Sequence, residues 1–345
     1  MRSEETIVKK HLLCLLIAVI LTLGGTLSAS AENLRMASGV VGSMTYALAN
    51  GFAAVYQKHT GQTLEALTKE LAATVPQLYA GQYELATQVN AAGFLIYNNI
   101  DLRTLQPTGN KERPPLRLVM LGNKAAAGFL ALKSSGMTTV NDLRGKRATL
   151  KFGHFAAQFM ININLLAAGL EADKDVTAIQ ASSIPSGAQL LSEGAVDACF
   201  GAATVPAFRE LDAAKGVRYL GQNPTPEAME RVRKAFPGAV FVEVKPDPGL
   251  VGILEPTTLL ANHNALMSAT NVPDEVIYKF VKVIYENRQE LVAYAPDFAE
   301  WVIEPPVSTY AAAPYHPGAI KYYKEAGLWS DEMEKWNQQL LDIYK

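Results

Sequence analysis

Apolar and polar positions alternate along this chain with two different periods, which predicts strands connected by helices. Residues 33–38 alternate in the manner of a β-strand, and the glycine-containing turn 39–43 follows them. Beyond the turn, apolar residues recur every three or four positions, at Leu48, Phe52, Val55 and Tyr56. This spacing predicts a helix, and Gly61 marks its end. A strand, a glycine turn and a helix form the first part of an α/β unit.

A shorter helix is predicted next. Thr74-x-x-Gln77 has the form of a capping box, which places the start of this helix at Thr74 and Pro76 in its first turn. Gly81 ends the helix, and an extended pattern returns over 83–90. The order of strand and helix is therefore repeated.

A comparable unit is predicted about one hundred residues later in the chain. Residues 147–152 have the pattern of a strand, and Gly153 opens a helix. The apolar stripe of that helix consists of Phe155, Phe159, Ile163, Leu166 and Leu170. Segments 78–85 and 191–198 also resemble each other. In each, a helix is predicted to end at a glycine, and a strand with an acidic residue near its start follows. This favours two similar α/β lobes; the alternative is chance, because the order helix, glycine, strand is common.

Two α/β lobes leave a cleft between them. In open α/β sheets, ligands bind beyond the carboxyl ends of the strands. The predicted ends are 38–45, 72–77, 88–92 and 151–155. We therefore expect a ligand site in the cleft at these positions.

The C-terminal region is predicted to contain helices that pack against the lobes. One begins at Pro273 and another at Ser330, and each carries an apolar stripe typical of core packing. Between them, Pro317 suits the first position of a helix that runs to Gly327, with His316 as its cap. We interpret His316 as structural and not catalytic.

Composition and charge exclude several classes of protein. The 345 residues are 49% hydrophobic and 19% charged, a globular composition, and their number favours two compact units. The 31 Lys and Arg residues against 33 Asp and Glu residues give a net charge of −2. Without a basic excess, nucleic acid is not expected as a partner.

Few residues are available for metal binding or catalysis. The two cysteines, Cys14 and Cys199, cannot form a disulfide framework or a four-cysteine zinc site, and the five histidines have no short ligand spacing. Cys199 lies in an apolar, strand-like run that favours a buried, inert thiol. No motif of a serine hydrolase or paired-carboxylate enzyme is present. We expect no metal, no cofactor and no catalytic residue, so binding is favoured over chemistry.

Residues 1–31 have the pattern of a secretory signal peptide. A basic start precedes the apolar run 12–23, and Ala29-Ser30-Ala31 is a sequence that signal peptidase accepts. The apolar run is shorter than the ~20 residues that a membrane span needs, which argues against the alternative of a retained anchor. We therefore predict cleavage near Ala31 and a periplasmic location.

The strongest candidate for ligand binding in the first half is the start of the first helix. The motif Gly39-x-x-Gly42-Ser43-Met44-Thr45 places flexible residues and two hydroxyl groups at a helix N-terminus. Free backbone N–H groups there attract carboxylates or phosphates. The alternative is an ordinary N-cap by Ser43 or Thr45, and both readings stay open.

Further candidates follow other strands. Lys151, Phe152 and His154 would together suit an organic anion with some apolar bulk, although Lys151 alone could be solvated and His154 could simply cap the helix. Asn90 could donate a hydrogen bond or be a turn residue. Thr74 and Ala203 complete the predicted ligand-binding set.

Several motifs, taken in this order after an export signal, are similar to those of one family of transport proteins. They are Gly39-Val40-Val41-Gly42-Ser43, Leu78-x-x-Gly81, Asp142-Leu143-Arg144-Gly145-Lys146, Gly194-Ala195-Val196-Asp197-Ala198, Val272-Pro273-Asp274-Glu275-Val276-Ile277-Tyr278, Tyr315-His316-Pro317-Gly318-Ala319 and Tyr322-Tyr323-Lys324-Glu325-x-Gly327. The chain resembles the TAXI family of solute-binding proteins of TRAP (tripartite ATP-independent periplasmic) transporters.

The resemblance implies a type II periplasmic binding-protein fold, in which two α/β lobes joined by hinge strands close over a small solute. By analogy, lobe I would comprise residues 32–122 and 256–345 and lobe II residues 123–255, with crossing strands near 117–123 and 249–260. We expect a monomeric receptor of this kind, which would deliver an organic anion to the membrane permease subunits of a TRAP transporter.

The chain departs from the family at two turns. Where family members often have turns rich in glycine and serine, this chain has 71–77 and 152–156, with apolar groups, lysine and histidine. We therefore expect a carboxylate with fewer hydrogen-bonding groups than glutamate. The alternatives are an exported enzyme that uses His154 or Cys199 in the same cleft, and a periplasmic sensor subunit that presents the solute to a membrane kinase.

Overall fold

The computed structural model describes residues 33–39, 41, 43–109, 112, 114–153, 155–295, 298–303 and 305–343. The predicted signal peptide lies outside these residues, as do two predicted ligand-binding residues, Gly42 and His154.

The described residues form alternating strands and helices. The strands are β1 (Leu34–Ser38), β2 (Leu64–Thr68), β3 (Leu85–Val89), β4 (Leu116–Leu132), β5 (Arg147–Lys151), β6 (Thr177–Gln180), β7 (Ala198–Gly201), β8 (Val217–Tyr219), β9 (Ala239–Val244) and β10 (Thr257–Ala269). The α-helices are α1 (Met44–Thr60), α2 (Leu71–Tyr79), α3 (Asn90–Tyr97), α4 (Phe155–Ala167), α5 (Ile184–Ser192), α6 (Pro206–Lys215), α7 (Pro226–Ala235), α8 (Asp274–Glu286), α9 (Phe298–Ile303), α10 (Pro317–Glu325) and α11 (Asp331–Ile343).

The described strands are arranged as two α/β lobes that share two long strands. Their order is β2-β1-β3-β10-β4-β7-β5-β6, with β8 paired to β4 and β9 paired to β10. In lobe I, β1 runs parallel to β2 and β3. In lobe II, β5 runs parallel to β6 and β7. The long strands β4 and β10 are antiparallel to each other and pass through both sheets.

The pairing of β10 shows where the chain crosses between the lobes. Residues Asn264–Met267 pair with β3 in lobe I, whereas Thr257–Asn262 pair with β9 in lobe II. The crossing strand expected at 117–123 lies within β4. The one expected at 249–260 overlaps β10 only from Thr257 onward, because the preceding residues form turns in which Gly252 has φ of 71°.

The first helix follows the sequence prediction. Ser43 caps α1 by accepting a hydrogen bond from the N–H of Tyr46, and Gly61 ends the helix in the left-handed conformation with φ of 69°. The four predicted stripe residues are all buried. Local signals therefore determine both ends of α1.

The start of α2 differs from the prediction. The helix begins at Leu71, and the side chain of Glu70 caps it by accepting a hydrogen bond from the N–H of Ala72. The predicted capping box at Thr74 is therefore wrong. The hydroxyl of Thr74 donates to the carbonyl of Leu71 within the helix, and Pro76 lies inside the helix and not in its first turn.

The core extends through both lobes. In lobe I, the ring of Phe52 on α1 lies 5.2 Å from Trp301 and 5.4 Å from Phe298. Between the lobes, the ring of Phe94 on α3 lies 6.1 Å from Phe159 on α4. A fully buried phenylalanine such as Phe52 contributes about 1.5–3 kcal/mol to stability. The lobes therefore share an aromatic contact as well as two strands.

The structure confirms the predicted cap of α10. The Nδ1 atom of His316 accepts a hydrogen bond from the N–H of Gly318, and Pro317 occupies the first turn. Among the described residues, no helix combines the length and the apolar character that a membrane span requires.

Candidate functional site

The start of α1 carries two hydroxyl groups that lie close to each other. The Oγ atom of Ser43 is 3.2 Å from the Oγ1 atom of Thr45, and Met44 between them is partly buried against the core. A Cβ atom at Gly39 would lie 2.0 Å from the Thr45 hydroxyl and 2.6 Å from the Ser43 hydroxyl. Only glycine at position 39 leaves room for both hydroxyls in this arrangement.

Strand β3 holds the start of α1 in place. The hydroxyl of Thr87 donates a 2.9 Å hydrogen bond to the carbonyl of Thr45. Because Thr87 is buried in the middle of β3, the first turn of α1 has a fixed position over the sheet.

Thr74, another predicted ligand-binding residue, is bonded inside lobe I. The side-chain amide of Gln88 donates to the Thr74 hydroxyl at 2.6 Å and to the carbonyl of Leu71 at 2.7 Å. This buried contact joins α2 to the end of β3. The predicted role of Thr74 toward a ligand stays a prediction, and its hydroxyl already has two protein partners.

Asn90 lies at the junction of the lobes. Its Nδ2 atom donates to the carbonyl of Tyr310 at 2.7 Å, and its Oδ1 atom accepts from the N–H of Ala312 at 3.0 Å. Gly238 of lobe II lies so close that a Cβ atom there would be 2.5 Å from the Asn90 amide. Asn90 therefore positions the 310–312 segment beside lobe II.

The lobe II candidates lie at the ends of β5 and β7. Lys151 forms an exposed ion pair with Asp173 at 2.9 Å, and hydrogen bonding by Lys151 lowers the pKa of the Asp173 carboxyl. The backbone N–H of Phe152 donates to Gln158. Ala203 is buried, and its carbonyl accepts from the N–H of Val251.

The topology directs the carboxyl ends of the lobe I strands and of the lobe II strands toward the same region. Strand β3 is antiparallel to β10 and ends at the point where β10 enters lobe I. Strand β7 is antiparallel to β4, so β7 ends where β4 enters lobe II. The ends of β3 and β7, and of the strands parallel to them, therefore face the crossing region from opposite lobes.

A cluster of buried amides in the crossing strands was missed by the sequence analysis. Asn123 on β4 and Asn262 and Asn264 on β10 are each at most 4% exposed. The Nδ2 atom of Asn264 donates to the Oδ1 atom of Asn123 at 2.9 Å, and the indole N–H of Trp301 donates to the same oxygen. Three polar residues, 262–264, interrupt an otherwise apolar run, and this interruption was the available signal.

Asn262 is the member of this cluster with unused hydrogen-bonding capacity. Its Oδ1 atom is buried without a hydrogen-bond partner among the described residues. Leaving a buried polar atom unsatisfied costs about 1–3 kcal/mol, and native proteins contain few such atoms. This oxygen can accept a hydrogen bond from a water molecule or from a bound guest.

Strand register places Asn262 on the same face of the sheet as the start of α1. Thr87, which bonds Thr45, pairs with Leu266, and Val89 pairs with Asn264. Residues opposite each other, and residues two positions apart on one strand, share a face. Asn262 therefore continues the face that carries the start of α1, just beyond the end of β3.

The opposite face of β10 has different contacts. His263 points there, since side chains alternate along a strand. Its ring stacks on Tyr310 with centroids 5.7 Å apart. The crossing strand thus presents amides on one face and a histidine–tyrosine stack on the other.

The thiol of Cys199 was one candidate reactive group of the chain. Cys199 is buried, and desolvation raises the pKa of its thiol, which agrees with the prediction of an inert residue. Within the part of the chain that the structure describes, no group of three or more His, Cys, Asp or Glu side chains could hold a metal ion.

Two α/β lobes, two crossing strands and a polar junction between strand ends define a type II periplasmic binding-protein fold. A model of the NMT1-like family matches residues 36–327, and the chain belongs to this family.

Solved structures show the same fold. MatC from Rhodopseudomonas palustris, with bound malate, is 15% identical, with a TM-score of 0.50 over 91% of this chain and 99% of that chain. XAC2383 from Xanthomonas citri, bound to ATP, is 10% identical, with a TM-score of 0.51 over 91% of this chain and 100% of that chain. At these identities the similarity is one of fold.

Proposed function

We propose that this protein is an extracytoplasmic solute receptor that binds a small organic anion, a carboxylate, between its lobes and passes it on chemically unchanged. The observation that carries the proposal is the position of the buried, unpartnered Oδ1 atom of Asn262 on the sheet face where α1 begins, where it can accept from a donor group of the solute. The fold accommodates anions, since the neighbours above were solved with malate and with ATP.

The start of α1 supplies the attraction for the anion. Free backbone N–H groups and the helix dipole favour a negative group by about 0.3–1 kcal/mol, and by more where the site is shielded from water. The hydroxyls of Ser43 and Thr45 can donate to the same group. Gly42 belongs to the same proposed site.

Asn262 supplies directional recognition. The unused atom is the acceptor Oδ1, so Asn262 can bond a hydroxyl or another donor group of the solute without adding charge, while the carboxylate lies at the start of α1. Lys151, Phe152 and His154 of lobe II complete the proposed site, with Lys151 contributing a positive charge. The ion pair between Lys151 and Asp173 is exposed and contributes little to stability. An anionic solute could therefore replace Asp173 as the partner of Lys151.

Closure follows from the two crossing strands. A ligand that contacts both lobes favours the conformation in which those contacts form together. Strands β4 and β10 supply the connection about which a hinge motion would occur. No reactive group is required, and the buried Cys199 thiol gives no support to an enzymatic role.

A thermal-shift screen of carboxylates tests the proposal. Binding at roughly a hundredfold excess over Kd stabilises the folded state by about 2.7 kcal/mol, which raises Tm by several degrees. The screen would include dicarboxylates, keto acids, amino acids and aromatic acids. If none of these classes raises Tm, the proposed function is wrong.

Variants then locate the site. Asn262→Ala should leave the Tm of the free protein close to that of the wild type, because the Oδ1 atom has no hydrogen bond to lose, and should reduce the shift caused by the active carboxylate. Asn271→Ala, at an exposed turn just beyond β10, is the matched control and should bind normally. Equal shifts in both variants would exclude Asn262 from the site.

We further propose a periplasmic location and delivery to a TRAP-type permease. The test is uptake of the active carboxylate into vesicles that contain a multi-span permease encoded beside this gene, with and without the receptor. Uptake that does not depend on the receptor would contradict delivery. A neighbouring gene for a membrane kinase would instead favour the sensor.

A further inference from the structure

A second concave surface lies at the junction of the lobes, on the side of α7 and α11. It is a groove of about 680 Å³, bounded by α7 and β9 of lobe II and by residues 309–310 and α11 of lobe I. Small-molecule sites in proteins have volumes of about 300–1,000 Å³, so the groove is large enough for an organic ligand.

The groove combines aromatic surface with positive charge. Phe241, Tyr310 and Trp336 line it, and Tyr310 is 42% exposed. Met229, 46% exposed, extends the apolar surface. Large apolar side chains exposed together in a concavity are characteristic of binding sites.

Two cations face the groove from opposite walls. Arg233 lies on α7 and Lys335 on α11. Among the residues that the structure describes, neither has an ion-pair partner within 4.0 Å. Glu332 is the one acid in the lining, so the walls carry a net charge of +1. The two cations are available to pair with an external anion.

The groove is separate from the site proposed above. Tyr310 stacks on His263, and His263 lies on the face of β10 opposite to Asn262. The hydroxyls at the start of α1 and the end of β5 do not contribute to the lining. A ligand in the groove would therefore contact both lobes from the other side of the crossing strand.

We propose that this groove is a second ligand site, which binds an organic anion with an aromatic body. The rings of Tyr310, Trp336 and Phe241 contact the flat apolar part, and Arg233 and Lys335 pair with the acidic group. A purely aliphatic small anion such as acetate would leave the aromatic walls uncovered, and a neutral aromatic molecule would leave both cations unpaired.

The probe for this site is 1-anilinonaphthalene-8-sulfonate, an aromatic sulfonate whose fluorescence increases in apolar surroundings. The wild-type protein should bind it saturably, with energy transfer from tryptophan that decreases in Trp336→Phe. The double variant Arg233→Gln/Lys335→Gln should bind at least about tenfold more weakly, since each charge-assisted contact contributes on that scale. Naphthoate should displace the probe, and acetate should not.

Two controls separate this site from the solute cleft. Lys234→Gln removes a neighbouring charge on α7 that does not line the groove, and should leave the probe's Kd unchanged. Ser43→Ala/Thr45→Val should also leave it unchanged, while reducing carboxylate shifts in the thermal screen. The groove proposal is overturned if the probe does not saturate, if the Arg233/Lys335 variant retains wild-type affinity, or if the cleft variant loses the probe. None of these results depends on whether the proposed transport function holds.

Discussion

The starts of α1 and α2 lie at the same edge of lobe I, because β1 and β2 are parallel neighbours, but different groups occupy them. Ser43 caps α1 with a neutral hydroxyl, and the Thr45 hydroxyl lies beside it. Glu70 caps α2 with a carboxylate that accepts from the N–H of Ala72. The positive end of α2 thus already has an anion from its own chain.

The difference indicates which helix start is available to a solute. A helix N-terminus attracts one negative group at close range, and Glu70 provides that group at α2. At α1 the attraction is not used by any carboxylate of the described chain. Under the proposed function, the solute anion would therefore bind at the start of α1 and not at the start of α2.

The largest expected effect comes from Gly39→Ala. The added Cβ atom would meet the hydroxyls of Thr45 and Ser43 at 2.0 and 2.6 Å and would displace both. Loss of two hydrogen bonds to a charged group, at about 1.5–3 kcal/mol each, predicts at least about a hundredfold loss of affinity for the active carboxylate. Calorimetric titration measures this loss.

Gly187→Ala is the control for this change. Its Cβ atom would make only ordinary contacts, at 3.5 Å from Cys199 and Thr149, and alanine is the better helix former within α5. It should bind normally and be no less stable than the wild type. Wild-type affinity in Gly39→Ala would remove α1 from the proposed site.

A smaller effect is expected from Ser43→Asp, which makes the start of α1 resemble that of α2. Aspartate caps helices as well as serine does, so the free energy of unfolding should stay close to the wild-type value. Its carboxylate would compete with the solute, and affinity should fall by about tenfold or more. Ser43→Asn, a neutral cap of the same shape, should retain most of the affinity. Equal affinities for the two variants would contradict an anion site at α1.

Much of the fold could be predicted because its signals are local. The stripe of α1 and its Gly61 cap, and the cap of α10 by His316, depend on residues within a few positions of each other. The start of α2 was mispredicted because Thr74 and Gln77 have the spacing of a capping box, whereas the chain uses Glu70. A motif of four residues has no information about competing caps nearby.

The polar junction could not be predicted because its contacts are not local. Asn264 and Asn123 are 141 positions apart and meet only through the pairing of β10 with β4. Asn262 acquires its position through register with β3, which no short pattern specifies. The ligand roles of the residues that the sequence did single out remain predictions.

Glu70→Ala tests the comparison at the start of α2. Its expected effect on stability is smaller than the losses of affinity predicted for the variants at α1. Loss of an N-cap of this kind typically lowers the free energy of unfolding by about 1 kcal/mol, which urea denaturation measures. Affinity for the carboxylate should not change. Added sulfate should recover more stability in the variant than in the wild type, because the uncapped helix start accepts an anion. Equal stabilisation by sulfate would argue that the start of α2 is not an anion site even when Glu70 is absent.

His316 extends the comparison to a helix capped by a neutral imidazole, with the smallest expected effect. Burial lowers the pKa of His316 below its ordinary value of 6.5, although the carboxylate of Asp274, 3.6 Å away, opposes this. The unfolded chain therefore takes up a proton at higher pH than the folded chain, and stability falls as pH falls below about 6.5. Protonation of Nδ1 would also remove the acceptor that caps α10.

The measurement compares Tm at about pH 7.5 and about pH 5.5. The decrease in Tm should be smaller in His316→Asn than in the wild type, because asparagine keeps a capping acceptor that does not titrate. An equal fall in both proteins would assign the pH dependence to other groups.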